Sequence, residues 1–241
     1  MRFLDHTYEK IEANLALDEA LLIGAEEQGA GAVLRVWEPS GLAVVLGASG
    51  RLREDVEVEL CQAEGVAIAR RASGGGTVLV GPGTFNVTVV LPVDAAPGLE
   101  GVHGAQNYVL ERLARAIRTR GPGVEVKGHG DLTVGDRKFG GSAQRRLKRF
   151  FLVHVSILNG LSLETIARYT RQPKRQPAYR GERTHESFLT GLRLSGAELR
   201  DVVREAWGLE GGEFEEAPLP EGLTRRLVAE KYGEPGWVER L

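Results

Sequence analysis

Cysteine occurs once in the 241 residues, at Cys61. That excludes an intramolecular disulfide framework and a zinc site built from several cysteines. Apolar runs reach only about five to seven residues, far short of the roughly 20 that cross a bilayer. The opening MRFLDHTYEK has no hydrophobic targeting segment. Neither sign of charge dominates, with 31 Lys and Arg against 33 Asp and Glu and a net charge of −2. A dedicated nucleic-acid binder would carry a basic surplus. No Lys-Ser/Thr follows a glycine cluster at P-loop spacing, and GxGxxG and HExxH are missing, as is any recognisable Ser-His-Asp set. These absences point to a soluble, cytoplasmic protein with no membrane and no nucleic-acid partner.

What is present is ordinary globular composition, 42% apolar and 27% charged, in a chain long enough to bury a core without staples. NLALDEALLIGAEE (14–27) sets apolar residues at 15, 17, 21, 22 and 25 on one helical face, with Asn14 as N-cap. AVLRVWE and LAVVLG flank PSG and read as a hairpin. REDVEVELCQAEG reads as one helix with acids in its first turn and Gly65 as its stop. Strands follow in VAIAR and TVLV…FNVTVVLP. AQNYVLERLARAIRTRG is the clearest helix, apolar at 109, 110, 113, 116 and 117 and ended by Gly121. VEVKGHGDLTVGDRKFGGSAQRR and FFLVHVSIL read as three or four strands. SLETIARYT is a short helix, SGAELRDVVREAWG a helix capped by Ser195 with Glu198 completing a capping box, and LTRRLVAEKYG the last helix. Antiparallel-type strands broken by a few helices predict an α+β fold, not a regular βαβ alternation. The stretch 208–222 is the one candidate boundary. The roughly twenty residues beyond it are too few for a domain and read as a docked tail.

Two segments invite chemistry. In Arg70–Arg71–Ala72–Ser73–Gly74–Gly75–Gly76–Thr77, glycines let backbone N–H groups approach an anion closely and the arginines add charge-assisted bonds. Phosphate or carboxylate is the natural ligand; the alternative is a glycine-rich hairpin with solvent-facing arginines. In GDLTVGDRKFGGSAQRR (130–146), Lys138 stands beside Gly140 and Gly141, and Asp131 precedes it by seven residues. A lysine against a glycine-lined surface can neutralise charge on a phosphate or carbonyl oxygen, and an aspartate can hold Mg²⁺ bridging phosphates. The alternative is a surface hairpin turning at Asp136 and Arg137. The run from Arg168 to Arg183 carries six Arg and Lys residues. It is either a solvated charge run or a loop that docks an acidic carrier domain or orders on nucleotide phosphates. Cys61 reads as core packing, and His185 with Glu186 as a helix-start pair.

Together these segments resemble the lipoate–protein ligase A branch of the biotin/lipoate ligase and octanoyltransferase superfamily. NLALDEAL is similar to that family's opening helix, RRASGGGTV to its arginine–glycine signature, GDLTVGDRKFGGSAQRR to its lysine segment, VHVSIL to the strand that follows, and KYGEPGW to its terminal Lys-Tyr…Trp pattern. The resemblance implies one catalytic domain over 1–241, with a mixed, largely antiparallel sheet flanked by helices and no accessory C-terminal domain. It implies ATP-dependent activation of lipoate or octanoate to an acyl-adenylate, with ATP and Mg²⁺ required, and transfer to a lysine of a lipoyl domain or glycine-cleavage carrier. Lys138 would contact the acyl carbonyl and phosphate. Arg70, with Arg71, would bind phosphate or adenylate oxygens. Ser73, Gly74, Gly75, Gly76 and Thr77 would line the nucleotide and acyl pocket, with Gly141, Ser142, Ala143 and His154. Asp131 would sit at the adenylate through Mg²⁺. The chain departs from the family at Val80, where many ligases have a histidine, and at His129 and Gly130, which replace Arg and Asn. It has no cysteine in GPGVEVKGHGD (121–131), the few residues just upstream of the lysine segment, where one branch of octanoyltransferases carries its own. The readings that remain are a ligase acting alone or with a separate accessory chain, an ATP-independent octanoyltransferase, and a non-catalytic carrier-binding protein.

Overall fold

The computed structural model describes residues 1–99, 101–121, 123–209 and 214–241. Its strands are β1 (Arg2–Asp5), β2 (Val33–Trp37), β3 (Ala43–Leu46), β4 (Ala67–Arg70), β5 (Val78–Val80), β6 (Thr84–Pro92), β7 (Val124–Lys127), β8 (Asp131–Val134), β9 (Arg137–Arg146) and β10 (Phe150–Leu158). A seven-stranded sheet runs β1-β2-β6-β10-β9-β8-β7, and a three-stranded sheet runs β4-β3-β5. Only β1–β2 and β3–β4 are parallel pairs; the others are antiparallel. The expected α+β architecture with a mixed, largely antiparallel sheet is therefore what the chain adopts.

β6 shows how sequence period sets the layers. Phe85, Val87, Val89 and Leu91 point to one face and join the main apolar core. There they meet α4 (Val102–Arg118) and α7 (Gly196–Ala206), whose Val109, Leu110, Leu113, Leu199 and Val203 are buried. Burying each such side chain contributes about 1.5–3 kcal/mol before conformational costs. The intervening Asn86 and Thr88 face the other way, and both are buried although polar. A buried polar face on a central strand is where a site is expected.

That second face is covered by α1 (Ile11–Gln28) and by the small sheet. α1 begins four residues earlier than its apolar pattern implies, and Asn14 lies inside it, buried, rather than at its cap. The Asn14 amide instead fastens the approaching chain, accepting from the Tyr8 N–H and donating to the carbonyls of Tyr8 and Lys10. The expected hairpin around Pro39–Ser40–Gly41 is also corrected. β2 and β3 lie in different sheets, so those residues carry the chain from one sheet to the other. The expected single helix after Arg53 is two short ones, α2 (Leu52–Asp55) and α3 (Val58–Ala63). Val56 interrupts them because it forms an antiparallel bridge with Thr170.

The remaining helices are α5 (Leu163–Tyr169), α6 (His185–Phe188), α8 (Glu221–Leu227), which continues as a π-helical turn over Val228–Tyr232, and α9 (Pro235–Glu239). The capping box of α7 forms as read: the Glu198 N–H donates to Ser195 Oγ and the Ser195 N–H to Glu198 Oε2. Of the candidate boundary 208–222, residues 210–213 lie outside the described residues. Beyond it, α8 packs on α1 and α9 on β4. Lys231 and Tyr232 both bond the buried Glu19 carboxylate.

Candidate functional site

A cavity of about 1050 Å³ lies between the two sheets, at the upper end of the range for small-molecule sites. Its floor is set by register. Trp37, Asn86, Ser156, Gly141 and Asp131 are successive partners across β2, β6, β10, β9 and β8, and all line the cavity. Two residues along, Arg35, Thr88, His154 and Ala143 form a second row on the same face. The wall opposite is β5 with Gly75, Gly76 and Thr77, and Pro173–Ala178 form the rim.

Lys138 reaches the floor because of a β-bulge. In a regular strand, positions 138 and 141 would point to opposite faces. The register shift between Leu132 and Thr133 makes Phe139 the extra residue. Phe139 turns into the core, which puts Lys138 on the same side as Gly141. The Lys138 side chain then lies across Gly141, where a Cβ would come within 2.8 Å of Nζ. Lys138 Nζ pairs with Asp131 Oδ1 at 2.6 Å, and the Tyr179 hydroxyl donates to Asp131 Oδ2 at 2.7 Å. Ser142 secures the adjoining turn: its N–H and its hydroxyl both donate to the Gly130 carbonyl. As a holder of a divalent cation Asp131 fits poorly: its Oδ1 already meets the Lys138 ammonium, which would repel a second cation, and no cluster of three or more His, Cys, Asp or Glu among the described residues is placed to hold a metal.

The glycine loop is built around Arg71. Its guanidinium is buried and donates to the carbonyls of Val45, Gly74 and Gly76 and to Ser73 Oγ. Burial pushes its pKa down to about 10, so it remains charged at neutral pH. No carboxylate pairs with it among the described residues, which leaves a fixed positive charge at the cavity wall. Gly75, at φ +87°, passes so close that a Cβ there would sit 2.9 Å from Arg71 Nη2, and a Cβ on Gly47 would sit 2.0 Å from the Gly75 carbonyl oxygen. These glycines are needed for close approach, not for looseness.

Arg70 departs from its expected place on the anion. It does not line the cavity. Its guanidinium donates to the carbonyls of Gly47, Gly50, Trp237 and Val238, and the Trp237 indole N–H donates back to the Arg70 carbonyl at 2.7 Å. With a further bond to the Ala48 carbonyl, five carbonyls occupy its guanidinium, so it fastens α9 to the loop. Ser73 and Gly74 also lie behind the wall. Arg71, Gly75, Gly76, Thr77, Asp131, Lys138, Gly141, Ser142, Ala143 and His154 do line the cavity.

The structure also assembles what the sequence hides. His154 Nδ1 stands 3.0 Å from Asp18 Oδ2, and His154 Nε2 stands 2.6 Å from Ser73 Oγ. This is a serine–histidine–aspartate chain, drawn from three distant segments. Ser73 is not presented as a nucleophile: it is buried, and its oxygen already accepts from Arg71 Nε. The chain instead ties the glycine loop to the floor. Asp18 is anchored by Arg35 at 2.5 Å, with both side chains buried. Burial pushes the Asp18 carboxyl up, but Arg35 and His154 together outweigh it and hold it below the ordinary range. Trp37, Asn86, Tyr179 and Phe188 were not legible as site residues. Asn86 and Thr88 were the available signal, polar residues at period two inside a buried strand.

The basic run over 168–183 is largely spent within the chain. Arg168 pairs with Glu64, Arg171 with Glu57 and Lys174 with Glu54. Arg180 and Arg183 sit over the Phe188 ring. His185 lines the cavity at the start of α6, and burial, then Arg180, lowers its pKa. Cys61 is buried outside the cavity among Val44, Leu46 and Val58, and burial pushes its thiol pKa up.

The fold and cavity define a small-molecule enzyme site in which a lysine faces a glycine loop braced by arginine. Residues 10–203 match the lipoyl protein ligase A/B catalytic domain. The chain belongs to this family, whose members include lipoate ligases and octanoyltransferases. It is 29% identical over 240 residues to "Putative lipoate-protein ligase A" of Aeropyrum pernix, covering 95% of this chain and 88% of that one. It is 27% identical to the octanoyltransferase LipM of Moorella thermoacetica, covering 99% of this chain and 97% of that one. Among solved structures, it is similar to a lipoate-protein ligase A bound with ATP, with a TM-score of 0.83, 22% identity, and 100% and 99% of the two chains covered. It is also similar to a bi-partite lipoate protein ligase of Thermoplasma acidophilum, described with its E2 lipoyl domain, with a TM-score of 0.82, 20% identity, and 99% and 95% covered. At these identities the structural likenesses speak for the fold.

Proposed function

We propose that the protein is an ATP-dependent lipoate–protein ligase. In the first step a carboxylate oxygen of lipoate, or octanoate, attacks the α-phosphorus of ATP and pyrophosphate leaves. In the second, the amine of an acceptor lysine attacks the acyl carbon, AMP leaves with the bonding electrons, and the amine gives up its proton. Both steps build negative charge on oxygen, and a preorganised cation stabilises it without a proton transfer. Lys138 is the cation at the reacting centre. Arg71 holds Gly75 and Gly76 against the nucleotide and contributes fixed positive charge. Trp37, Val78 and Val80 supply apolar wall for the acyl tail. Eight methylene-sized units at about 0.8 kcal/mol each give roughly 6 kcal/mol, a Kd on the order of 0.1 mM. Tight retention of the intermediate therefore rests on the phosphate and adenine contacts. The acceptor is a lipoyl domain or glycine-cleavage carrier, and the setting is cytoplasmic. No helix among the described residues is long and apolar enough to cross a membrane.

The observation that carries this reading is the placing of Cys61. A cysteine-dependent transferase needs a thiolate at the reacting centre, and the chain's single cysteine is buried and does not line the cavity. The similarity to LipM favours a second reading, in which an octanoyl group passes from a carrier thioester to the acceptor with Lys138 polarising the carbonyl. Mass spectrometry of a lipoyl domain separates the two. Incubated with the protein, ATP and lipoate, the domain gains one lipoyl group. Acylation from octanoyl carrier protein alone, with none from ATP and lipoate, overturns the ligase reading.

A further inference from the structure

Tyr179 lies in the segment between α5 and α6, outside every motif that the family resemblance covers, yet it touches the pair at the centre of the floor. Asp131 has two carboxylate oxygens. Oδ1 takes the Lys138 ammonium at 2.6 Å and Oδ2 takes the Tyr179 hydroxyl at 2.7 Å. Tyr179 does not line the cavity, so it acts from behind the carboxylate and not on a ligand. Its ring is held at 5.3 Å from the Phe188 ring, and Gly128, at φ +57°, leaves it room: a Cβ there would stand 3.3 Å from a Tyr179 ring carbon. Burial, and then Asp131, raises the phenol pKa, so the hydroxyl keeps the proton it donates.

The segment that carries Tyr179 is fastened at both ends. On one side, Thr170 bridges Val56, the Arg171 N–H donates to the Asp55 carbonyl, and Arg168, Arg171 and Lys174 pair with Glu64, Glu57 and Glu54. On the other, Leu189 bridges Lys138 itself, and the Thr190 N–H donates to the Lys138 carbonyl at 2.8 Å. The same segment thus holds the backbone of Lys138 directly and its ammonium through Asp131.

We propose that Tyr179 is a positioning residue that fixes the Asp131 carboxylate and, through it, sets where the Lys138 ammonium stands over Gly141. A carboxylate held at one oxygen can rotate about its last torsion; held at both, it cannot. The docked segment and the reach of Lys138 are thereby coupled. The consequence for turnover rests on the role given to Lys138 above, but the geometric claim does not.

Tyr179→Phe keeps the ring on Phe188 and removes only the hydroxyl. Limiting acetic anhydride, with acetylation read residue by residue by mass spectrometry, tests the geometry without requiring activity. Lys138 in Tyr179→Phe is expected to label about threefold faster than in the wild type, because a side chain no longer held against Asp131 and Gly141 meets the reagent more often. Lys148 serves as the internal control. Asp131→Asn is expected to label at least as fast, and Tyr179→Phe/Asp131→Asn no faster than Asp131→Asn alone, since one residue acts through the other. In the acylation assay, Tyr179→Phe is expected to lower kcat about tenfold with the KM for the acid unchanged. Labelling of Lys138 at the wild-type rate in Tyr179→Phe, or a full additional effect in the double variant, overturns the proposal. A wild-type protein that acylates nothing from either donor overturns the functional reading, while the labelling still decides the position of Lys138.

Discussion

Replacing Lys138 by alanine lowers the rate of acyl transfer about 10²–10³-fold and leaves the fold intact. The magnitude follows from the task. Removing one preorganised donor from a developing oxyanion costs roughly 3–4 kcal/mol of transition-state stabilisation, and each 1.4 kcal/mol is about tenfold in rate. The fold survives because the Lys138 side chain is 28% exposed and its partner Asp131 keeps the Tyr179 hydrogen bond. Lys138→Arg does not rescue, since the planar guanidinium has to pass Gly141, where Nζ already lies 2.8 Å from the site of an added Cβ. Single-turnover acylation of a lipoyl domain measures the effect, with thermal melting as the control. A loss below about fivefold in Lys138→Ala would place the charge-stabilising group elsewhere.

The largest effect on stability is expected at Arg35→Leu. Arg35 is fully buried, pairs with Asp18, and also bonds the Asn14 side chain and the carbonyls of Asn14 and His6. Removing it leaves the Asp18 carboxylate buried with His154 alone. Breaking a buried pair from one side costs about 3–5 kcal/mol, which in a chain of this length lowers Tm by roughly 10 °C. The sign with pH follows from Asp18, whose native pKa is held below its ordinary 3.8 by Arg35 and His154 against burial. A depressed carboxyl pKa adds stability that is complete above the ordinary value and is lost as pH falls through the native one. The stability that Asp18 lends the wild type is therefore full at neutral pH and is lost as pH falls below 3.8, so the gap to Arg35→Leu narrows in acid. Urea unfolding at several pH values measures it. Arg35→Leu combined with Asp18→Leu is expected to recover part of the loss, because no buried charge is then left unpaired. A gap that stays constant with pH would detach the effect from Asp18.

α4 was legible from its strong apolar periodicity, although it ends at Arg118 and not at Gly121, and α7 from its periodicity and its local capping box. The strands of the lysine segment were legible for the same reason. The hairpin around Pro39 was misread because turn residues announce a change of direction and say nothing about which sheet receives the next strand. Asn14 was misread as a cap because its partners, Tyr8 and Arg35, are set by tertiary packing. Of the paired arginines, sequence could not tell which faced the cavity. Alternation along β4 and the arrival of α9 decide it, giving Arg71 to the site and Arg70 to the tail. The bulge at Phe139 was equally hidden, although it is what turns Lys138 onto the floor. Val80, the last residue of β5, lines the wall.

Whether this cavity activates a free acid with ATP is decided by exchange of labelled pyrophosphate into magnesium–ATP, which reports acyl-adenylate formation without any acceptor protein. The expected result is exchange that requires the protein and either lipoate or octanoate, and that falls to background in Lys138→Ala. No exchange with either acid, while octanoyl carrier protein acylates a lipoyl domain without ATP, would contradict it.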